Sequence, residues 1–182
     1  MKIFKKIANY IFYLFILFFV YYLALQVLVP EKTIDYIGFK TFVVLTPSME
    51  PKINVNDIIV VKHTKEENIE VGDIITFKVY IRDLGDEAYV THYVADIVQS
   101  GGEIVYETQG INAGEGEYDD WVNNQNEEID ITYDDIAGEY VFKIPNLGFI
   151  SRLLQDPFML GFIVLDVIII YALIKVLRKK EK

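Results

Sequence analysis

The sequence predicts a mainly β protein, in which one curled antiparallel sheet is flanked by two transmembrane helices. An uncharged apolar stretch of 23 residues, Ile7–Val29, lies before the predicted sheet region, and a shorter one, Phe158–Ile174, lies after it. Between them, short runs rich in Val, Ile, Tyr and Phe alternate with Gly, Asn and Asp, which is typical of strands and turns. We therefore expect a basic N-terminus with an anchor (1–29), an extracytoplasmic β domain (30–157), and a second transmembrane helix with a basic tail (158–182).

The first apolar stretch is long enough to cross a bilayer. A helix of this length, with a rise of 1.5 Å per residue, exceeds the ~30 Å hydrocarbon core. A cleaved signal peptide is the alternative, but the stretch is longer than the apolar region of such peptides. In addition, Ala24-Leu25-Gln26 lacks a small residue at the last position of a cleavage site. We expect a retained anchor.

The second apolar stretch is a weaker candidate for a span, because it has only 17 residues and contains Asp166. Basic residues flank both stretches. They are Lys2, Lys5 and Lys6 before the first, and Lys175, Arg178, Lys179, Lys180 and Lys182 around the end of the second. Since basic flanks tend to stay in the cytoplasm, we expect a multi-pass protein of the cell membrane with both termini cytoplasmic.

Six apolar runs predict the strands of the middle domain. The runs are short, rich in β-branched residues and bounded by turn formers such as Val71-Gly72-Asp73, which favours strands over helices. They are Phe39–Leu45, Ile58–Lys62, Ile74–Ile81, Tyr89–Val98, Ile104–Glu107 and Tyr140–Ile144. We expect a curled sheet or a barrel-like sandwich, with the least regular structure in residues 112–130.

The composition argues against several classes of function. The chain has no cysteine, which excludes a cysteine nucleophile, a disulfide framework and a Cys-ligated zinc site. Residues 30–157 hold 25 Asp and Glu against 9 Lys and Arg, and such an acidic domain repels phosphate backbones, so we expect no nucleic-acid partner. The acidic loop at 115–120 lacks the EF-hand pattern, and we expect neither a metal nor a cofactor.

Ser48 is the candidate nucleophile. It lies in Thr46-Pro47-Ser48-Met49-Glu50-Pro51, directly after an apolar run, where the two prolines restrict the backbone and hold a hydroxyl in place. A serine becomes a useful nucleophile only when a neighbouring base removes its proton. A turn serine with no chemical role is the alternative.

His92 is the preferred base. Strand alternation places it on the same face as Val90 and Val94, a face that we expect to be partly buried, where a carboxylate would have to orient the ring. A histidine simply packed in the sheet fits the same pattern. The other histidine, His63, stands beside charged residues and should be solvated, whereas a deprotonated Lys78 is an alternative base.

These segments, in this order, resemble signal peptidase I, a family of membrane serine peptidases. The resemblance is greatest to the ER, archaeal and sporulation-type branch, which has a Ser-His catalytic pair where the commoner bacterial branch uses lysine. It covers nearly the entire chain. The matching segments are Thr46–Pro51, Val55–Val61, Val71–Phe77, Val90–His92, Thr108–Gly110 and Gly138–Gly148.

The resemblance implies that residues 30–157 form the catalytic domain, with Ser48 as the nucleophile, His92 as the general base and Asp119 as their acidic partner. Asp120 is a near alternative to Asp119. The chain departs from the family at three positions. The family often has Asp directly after the glycine at 110, a glycine before the serine, and a basic residue after the histidine. This chain has Ile111, Pro47 and Tyr93 there.

The implied reaction is removal of N-terminal signal peptides from exported preproteins after small residues, through an acyl-enzyme on Ser48. The Ser48 N–H and the Thr46 hydroxyl would stabilise the oxyanion, and an extended substrate would add a strand beside Phe42, Val44 and Met49. The expected partners are signal peptides, the lipid bilayer and the secretion translocon. The alternatives are a catalytically inactive relative that binds exported surface subunits as an assembly partner, a self-cleaving repressor-type protease, and a non-enzymatic surface domain.

Overall fold

The structure is a computed structural model that describes residues 2–29 and 32–150, together with residues 162, 165, 166 and 169. Apart from those last four positions, the second predicted span lies outside the described residues. The division of the chain into three regions therefore stays a prediction.

The first apolar stretch forms a long helix, α1 (Lys2–Leu28). Within it, Lys6–Leu25 has a mean hydropathy of 2.0 and, in the described part of the chain, is the one helix long and apolar enough to cross a membrane. Its large side chains are exposed, as shown by Leu14 at 65% and Leu17 at 66%, so α1 is not a core helix of the β domain. A signal sequence has the same length and composition, and so the structure shows the predicted apolar helix without showing that it spans a membrane.

A short helix, α2 (Thr33–Ile37), leads into a six-stranded sheet. The strands are β1 (Phe39–Val43), β2 (Ile58–Lys62), β3 (Ile74–Ile81), β4 (Asp86–Ser100), β5 (Glu103–Gln109) and β6 (Ile136–Ile144). Their order in the sheet is β1-β2-β6-β3-β4-β5, and every pairing is antiparallel. The prediction of a mainly β, antiparallel domain is confirmed.

All six predicted strands are present, and two of them, β2 and β3, have the predicted bounds. β4 is longer than its apolar run because it forms hairpins with β3 and with β5, so that backbone pairing continues through polar residues at both ends. β6 begins at Ile136 because its first residues pair with β3 before the later ones pair with β2.

Two apolar clusters form the core. We call them the first core cluster (Ile69, Ile75, Phe77, Val79, Val94, Tyr106 and Ile131) and the second core cluster (Ile34, Met49, Ile53, Ile59, Val61 and Ile74). Ile74 and Ile75 belong to different clusters because successive strand residues point to opposite faces of the sheet. His92 is opposite Ile75 in the register of β3 and β4, and therefore lies on the face of the first core cluster.

The sheet curls so that β1 approaches β4, although three strands (β2, β6 and β3) lie between them in the strand order. The rings of Phe42 and Tyr89 lie 4.7 Å apart, and the Lys40 ammonium lies 4.4 Å from the centre of the Tyr89 ring. The end of α1 packs on the same strand. The Tyr22 hydroxyl lies 2.9 Å from Thr41 Oγ1, so the apolar helix contacts the strand that leads to Ser48.

Candidate active site

Ser48 lies in the turn that follows β1, and its side chain is partly buried. The Ile111 N–H donates to the Ser48 carbonyl oxygen at 3.0 Å, which ties this turn to the segment after β5. Thr46 is exposed, and its hydroxyl oxygen lies 3.5 Å from Ser48 Oγ. That separation is longer than an ordinary O–H···O hydrogen bond of about 2.7–2.8 Å.

A buried acid supports the strand end that precedes this turn. Asp57 is 1% exposed and accepts hydrogen bonds from the Asn54 N–H (2.9 Å), the Asn146 N–H (3.1 Å) and the Lys143 ammonium (2.8 Å). Burial alone would raise the pKa of Asp57, but these hydrogen bonds outweigh it and hold the pKa below its usual value. The Asp57 carbonyl in turn accepts from the Val44 N–H at 2.9 Å, so this buried acid fixes the chain that leads to Ser48.

His92 lies in the middle of β4 and is 7% exposed. The face that strand alternation predicts to be partly buried is indeed packed, since Val94 on the same face is 1% exposed. The Nδ1 atom of His92 lies 2.6 Å from Oδ2 of Asp119, within the distance of a charge-assisted hydrogen bond. The structure thus brings together two of the three residues in the implied catalytic set.

Two further residues hold the Asp119 carboxylate. The Thr108 hydroxyl donates to Asp119 Oδ2 at 2.8 Å, and the Trp121 indole N–H donates to Thr108 Oγ1 at 2.9 Å. A backbone hydrogen bond also joins Asp119 and Thr108, because the Asp119 N–H donates to the Thr108 carbonyl at 2.8 Å. Sequence reasoning missed both residues. Thr108 appeared only as a member of the Thr-Gln-Gly segment, and Trp121 carried no signal.

Ser48 and His92 border one narrow gap, which Gly110 keeps open. A Cβ atom added to Gly110 would lie 3.1 Å from the Ser48 carbonyl oxygen and 3.8 Å from both Cε1 and Nε2 of His92. Within the described residues, His92 Nε2 is buried and has no hydrogen-bond partner, so Ser48 Oγ is not bonded to it in this structure. Bonds of this kind are often long in free enzymes and tighten when substrate binds.

The arrangement suits a neutral imidazole that accepts a proton. An ionised carboxylate accepts hydrogen bonds and donates none, so the Asp119 contact places the ring proton of His92 on Nδ1. Nε2 then carries the lone pair, and it is the nitrogen on the side of Gly110 and Ser48. A buried acceptor with no partner is unusual in a folded protein, and here it is directed toward the candidate nucleophile's turn.

The other candidates lie elsewhere. His63 is exposed, and so is Asp120, the neighbour of Asp119. Lys78 pairs with Glu87 at 2.7 Å, and it lies on the opposite face of β3 from Ile75, the residue opposite His92. The structure therefore does not bring Lys78 and His92 to one face.

The predicted substrate-contacting residues lie on and beside β1. Within the described residues β1 pairs only with β2, so its other edge has no strand partner. Phe42 and Val44 are partly buried against the second core cluster. Met49 belongs to that cluster and is 2% exposed, so its side chain is buried in the core, although the sequence predicts a contact with substrate.

The surroundings of the site are acidic. Burial raises the pKa of Glu107 on β5, and the nearby carboxylates of Asp130, Asp96 and Asp120 raise it further. Within the described residues, no group of three or more His, Asp or Glu side chains is arranged to hold a metal ion.

Comparison with known proteins gives a consistent result. The chain is similar to signal peptidases. It is 36% identical over 76 residues to signal peptidase I W of Bacillus subtilis (strain 168), an alignment that covers 41% of this chain and 37% of that protein. It is 28% identical over 134 residues to the signal peptidase complex catalytic subunit SEC11C of Homo sapiens and of Canis lupus familiaris, covering 73% of this chain and 66% of those proteins.

The chain thus spans less than two thirds of the length of each of these relatives. No protein-family model matches the sequence. The homology is weak, reaches both a bacterial signal peptidase I and SEC11 subunits, and points to a peptidase of this general kind. It does not distinguish the Ser-His branch of the family from the Ser-Lys branch.

Proposed function

We propose that this chain is a membrane-anchored serine endopeptidase that removes N-terminal signal peptides from exported preproteins, with Ser48 as nucleophile, His92 as general base and Asp119 as the acid that orients it. The observation that carries the proposal is the buried His92–Asp119 pair, whose free Nε2 borders the same gap as Ser48. The similarity to signal peptidases supports the substrate class.

In the first step, Ser48 Oγ attacks the carbonyl carbon at the end of the signal peptide, and its proton passes to His92 Nε2. The resulting imidazolium is stabilised by the Asp119 carboxylate at Nδ1. The tetrahedral intermediate then collapses, the C–N bond breaks, and Nε2 returns the proton to the amine of the departing mature protein. The signal peptide remains as an ester on Ser48.

In the second step, water attacks this ester while His92 Nε2 takes one of its protons. Collapse of the second intermediate breaks the C–O bond, returns the proton to Ser48 Oγ and releases the signal peptide as a carboxylic acid. The Ser48 N–H stabilises the oxyanion in both steps. The Thr46 hydroxyl, 3.5 Å from Ser48 Oγ, is the nearby side chain that can assist it.

The substrate binds in extended form along the edge of β1 that faces away from β2. Backbone hydrogen bonds to β1 would give affinity, while side chains such as Phe42 and Val44 limit the space available and select small residues before the cut. Because β1 runs directly into the Ser48 turn, a strand bound there leads its scissile bond to the nucleophile.

The membrane brings substrate and enzyme together. The exposed apolar surface of α1 supports its role as a bilayer anchor, and Tyr22 joins that helix to β1. We propose that α1 and the second apolar stretch both span the cell membrane, with residues 30–157 on the outer face and both termini in the cytoplasm. The translocon would then deliver signal peptides laterally to the same surface.

Cleavage by the purified chain in detergent tests the proposal. The substrate is a preprotein with an Ala-x-Ala site, and wild type is compared with Ser48→Ala, His92→Ala and Lys78→Ala. We expect wild type and Lys78→Ala to cleave after the second Ala, and the other two variants to lose activity while remaining folded. Cleavage by the His92→Ala variant but not by the Lys78→Ala variant would identify Lys78 as the base. A folded wild type that cleaves nothing would favour the alternative of an inactive relative that binds exported surface subunits.

A further inference from the structure

We propose that Thr108 and Trp121 are positioning residues, which fix the direction of a hydrogen-bond chain that ends at His92 Nε2. The chain runs from Trp121 Nε1 to Thr108 Oγ1, then to Asp119 Oδ2 and His92 Nδ1, through distances of 2.9, 2.8 and 2.6 Å. Neither residue touches the gap where the substrate would react. The inference rests on the proposed function for its catalytic consequence, but the direction of the chain follows from the geometry.

The donor at the start of the chain sets the direction. An indole N–H donates only, so Thr108 Oγ1 accepts from Trp121 and has to direct its own proton elsewhere. That proton goes to Asp119 Oδ2, which lies 2.8 Å away. Thr108 is 1% exposed, so water is not a competing partner for its hydroxyl.

One oxygen of the Asp119 carboxylate accepts both of these hydrogen bonds. Asp119 Oδ2 accepts from Thr108 and from His92 Nδ1, which prevents the carboxylate from rotating away from the ring. Trp121 also packs beside the imidazole, with ring centres 6.0 Å apart, and against Phe77 of the first core cluster at 5.5 Å. The indole is therefore held by the core, and through Thr108 it holds the acid.

Asp119 is the charged group in contact with the imidazole among the described residues. The elements around the ring contribute Ile75 from β3, Thr108 and Gly110 from β5 and its end, Trp121 from the loop, and the Ser48 turn. Because Thr108 shares the oxygen that faces His92, its hydrogen bond holds that oxygen against Nδ1. Removing the hydroxyl should let the carboxylate turn, loosen the orientation of the ring and weaken its preference for a proton on Nδ1.

Two measurements on the full chain in detergent micelles test the inference. Nitrogen NMR shifts of the imidazole rings show which nitrogen of His92 carries the proton, and the chain has just one other histidine, the exposed His63, as an internal reference. Preprotein cleavage gives kcat and KM. The variants are Thr108→Val, which removes the hydroxyl at nearly constant shape, Thr108→Ser, which retains it, and Trp121→Phe, which removes only the N–H donor and part of the ring.

In wild type we expect the ring proton of His92 on Nδ1. For Thr108→Val we expect part of the population to carry it on Nε2 instead, and kcat to fall about 10-fold or more, because the base is no longer held in position. KM should stay within about twofold of wild type, because the substrate does not touch Thr108. Thr108→Ser should restore the wild-type nitrogen shifts and most of kcat, and Trp121→Phe should change the nitrogen shifts less, in the same direction. Thr76→Val is the matched control, since it removes a fully buried hydroxyl on the opposite face of β3 and should leave the nitrogen shifts of His92 unchanged.

Unchanged nitrogen shifts of His92 in Thr108→Val, or a loss of kcat in Thr108→Ser as large as in Thr108→Val, would overturn the inference. Should Thr108→Val fail to fold, Trp121→Phe decides, and unchanged nitrogen shifts in that variant refute the chain of bonds. If wild type cleaves no preprotein, the proposed function fails while the nitrogen shifts still test the positioning role.

Discussion

Replacing Asp119 by Asn removes one charge from the site while keeping the shape of the side chain. Both Thr108 Oγ1 and His92 Nδ1 donate to the same atom, Asp119 Oδ2. An asparagine will therefore place its amide oxygen there, since its NH₂ group would meet two donors. The His92 tautomer is retained, and the loss is that of the charge that stabilises the imidazolium.

The size of this loss can be worked out from the contact. Two unit charges about 4 Å apart, roughly the separation of the two charged groups, attract by about 4 kcal/mol at an effective dielectric constant of about 20. The Asp119 side chain is 22% exposed, so part of this energy is screened. Since each 1.36 kcal/mol is about tenfold in rate, we expect kcat to fall about 10²- to 10³-fold.

Steady-state cleavage of an Ala-x-Ala preprotein measures the effect, with Asp120→Asn as the matched control. Asp120 adjoins Asp119 but is exposed, so its variant should keep kcat within about twofold of wild type. The reasoning is refuted if Asp119→Asn retains more than about a tenth of wild-type kcat, or if Asp120→Asn loses as much.

Three further predictions follow from the structure. Gly110→Ala places a Cβ 3.1 Å from the Ser48 carbonyl oxygen, so the turn must shift by a few tenths of an Å, and we expect kcat to fall about 10-fold with little change in unfolding temperature. Asp57→Asn should lower the free energy of unfolding at pH 7 by about 2–3 kcal/mol, because it leaves Lys143 without its buried partner. Glu107→Gln should raise the free energy of unfolding, because it removes a carboxylate whose neighbours disfavour its charge.

The two stability predictions have opposite pH dependence. The pKa of Asp57 is lowered on folding, so its contribution is complete above the unfolded pKa of about 3.9 and disappears as the pH falls through the folded pKa. The pKa of Glu107 is raised on folding, so wild type gains stability as the pH falls through that raised value and approaches the Gln variant. Denaturant unfolding of the full chain in detergent at several pH values measures both. If the differences in unfolding free energy between wild type and the two variants stay constant with pH, the assigned electrostatic causes are wrong. If Gly110→Ala has the same kcat as wild type, the gap beside Gly110 is not narrow.

The sheet was predictable from the sequence because its strands are short apolar runs that are rich in β-branched residues and bounded by turn formers. Where that pattern was interrupted by polar residues, as at both ends of β4, the predicted strand was too short, because backbone pairing with hairpin neighbours continues without apolar side chains. Met49 could not be placed from local sequence either. It follows Ser48 in the chain, yet its side chain packs in the second core cluster.

For the site, the sequence could name Ser48 and His92 but could not choose between Asp119 and Asp120 from the residues alone. That choice depends on a backbone contact, the Asp119 N–H to the Thr108 carbonyl, which returns the loop to β5. The hydrogen bond between Trp121 and Thr108 could not be predicted for the same reason. The two residues are 13 positions apart in the chain and meet only after the loop has folded.

The most direct test of the central claim is intact-mass spectrometry of the purified chain during turnover of a peptide ester that ends in Ala-x-Ala. An ester acylates serine readily, so hydrolysis of the acyl-enzyme should limit turnover and the adduct should accumulate. We predict a mass increase equal to the acyl peptide, located at Ser48 by proteolysis, and none in Ser48→Ala or His92→Ala. An adduct on another residue, or ester turnover that persists in Ser48→Ala, would contradict the assignment of Ser48 as the nucleophile.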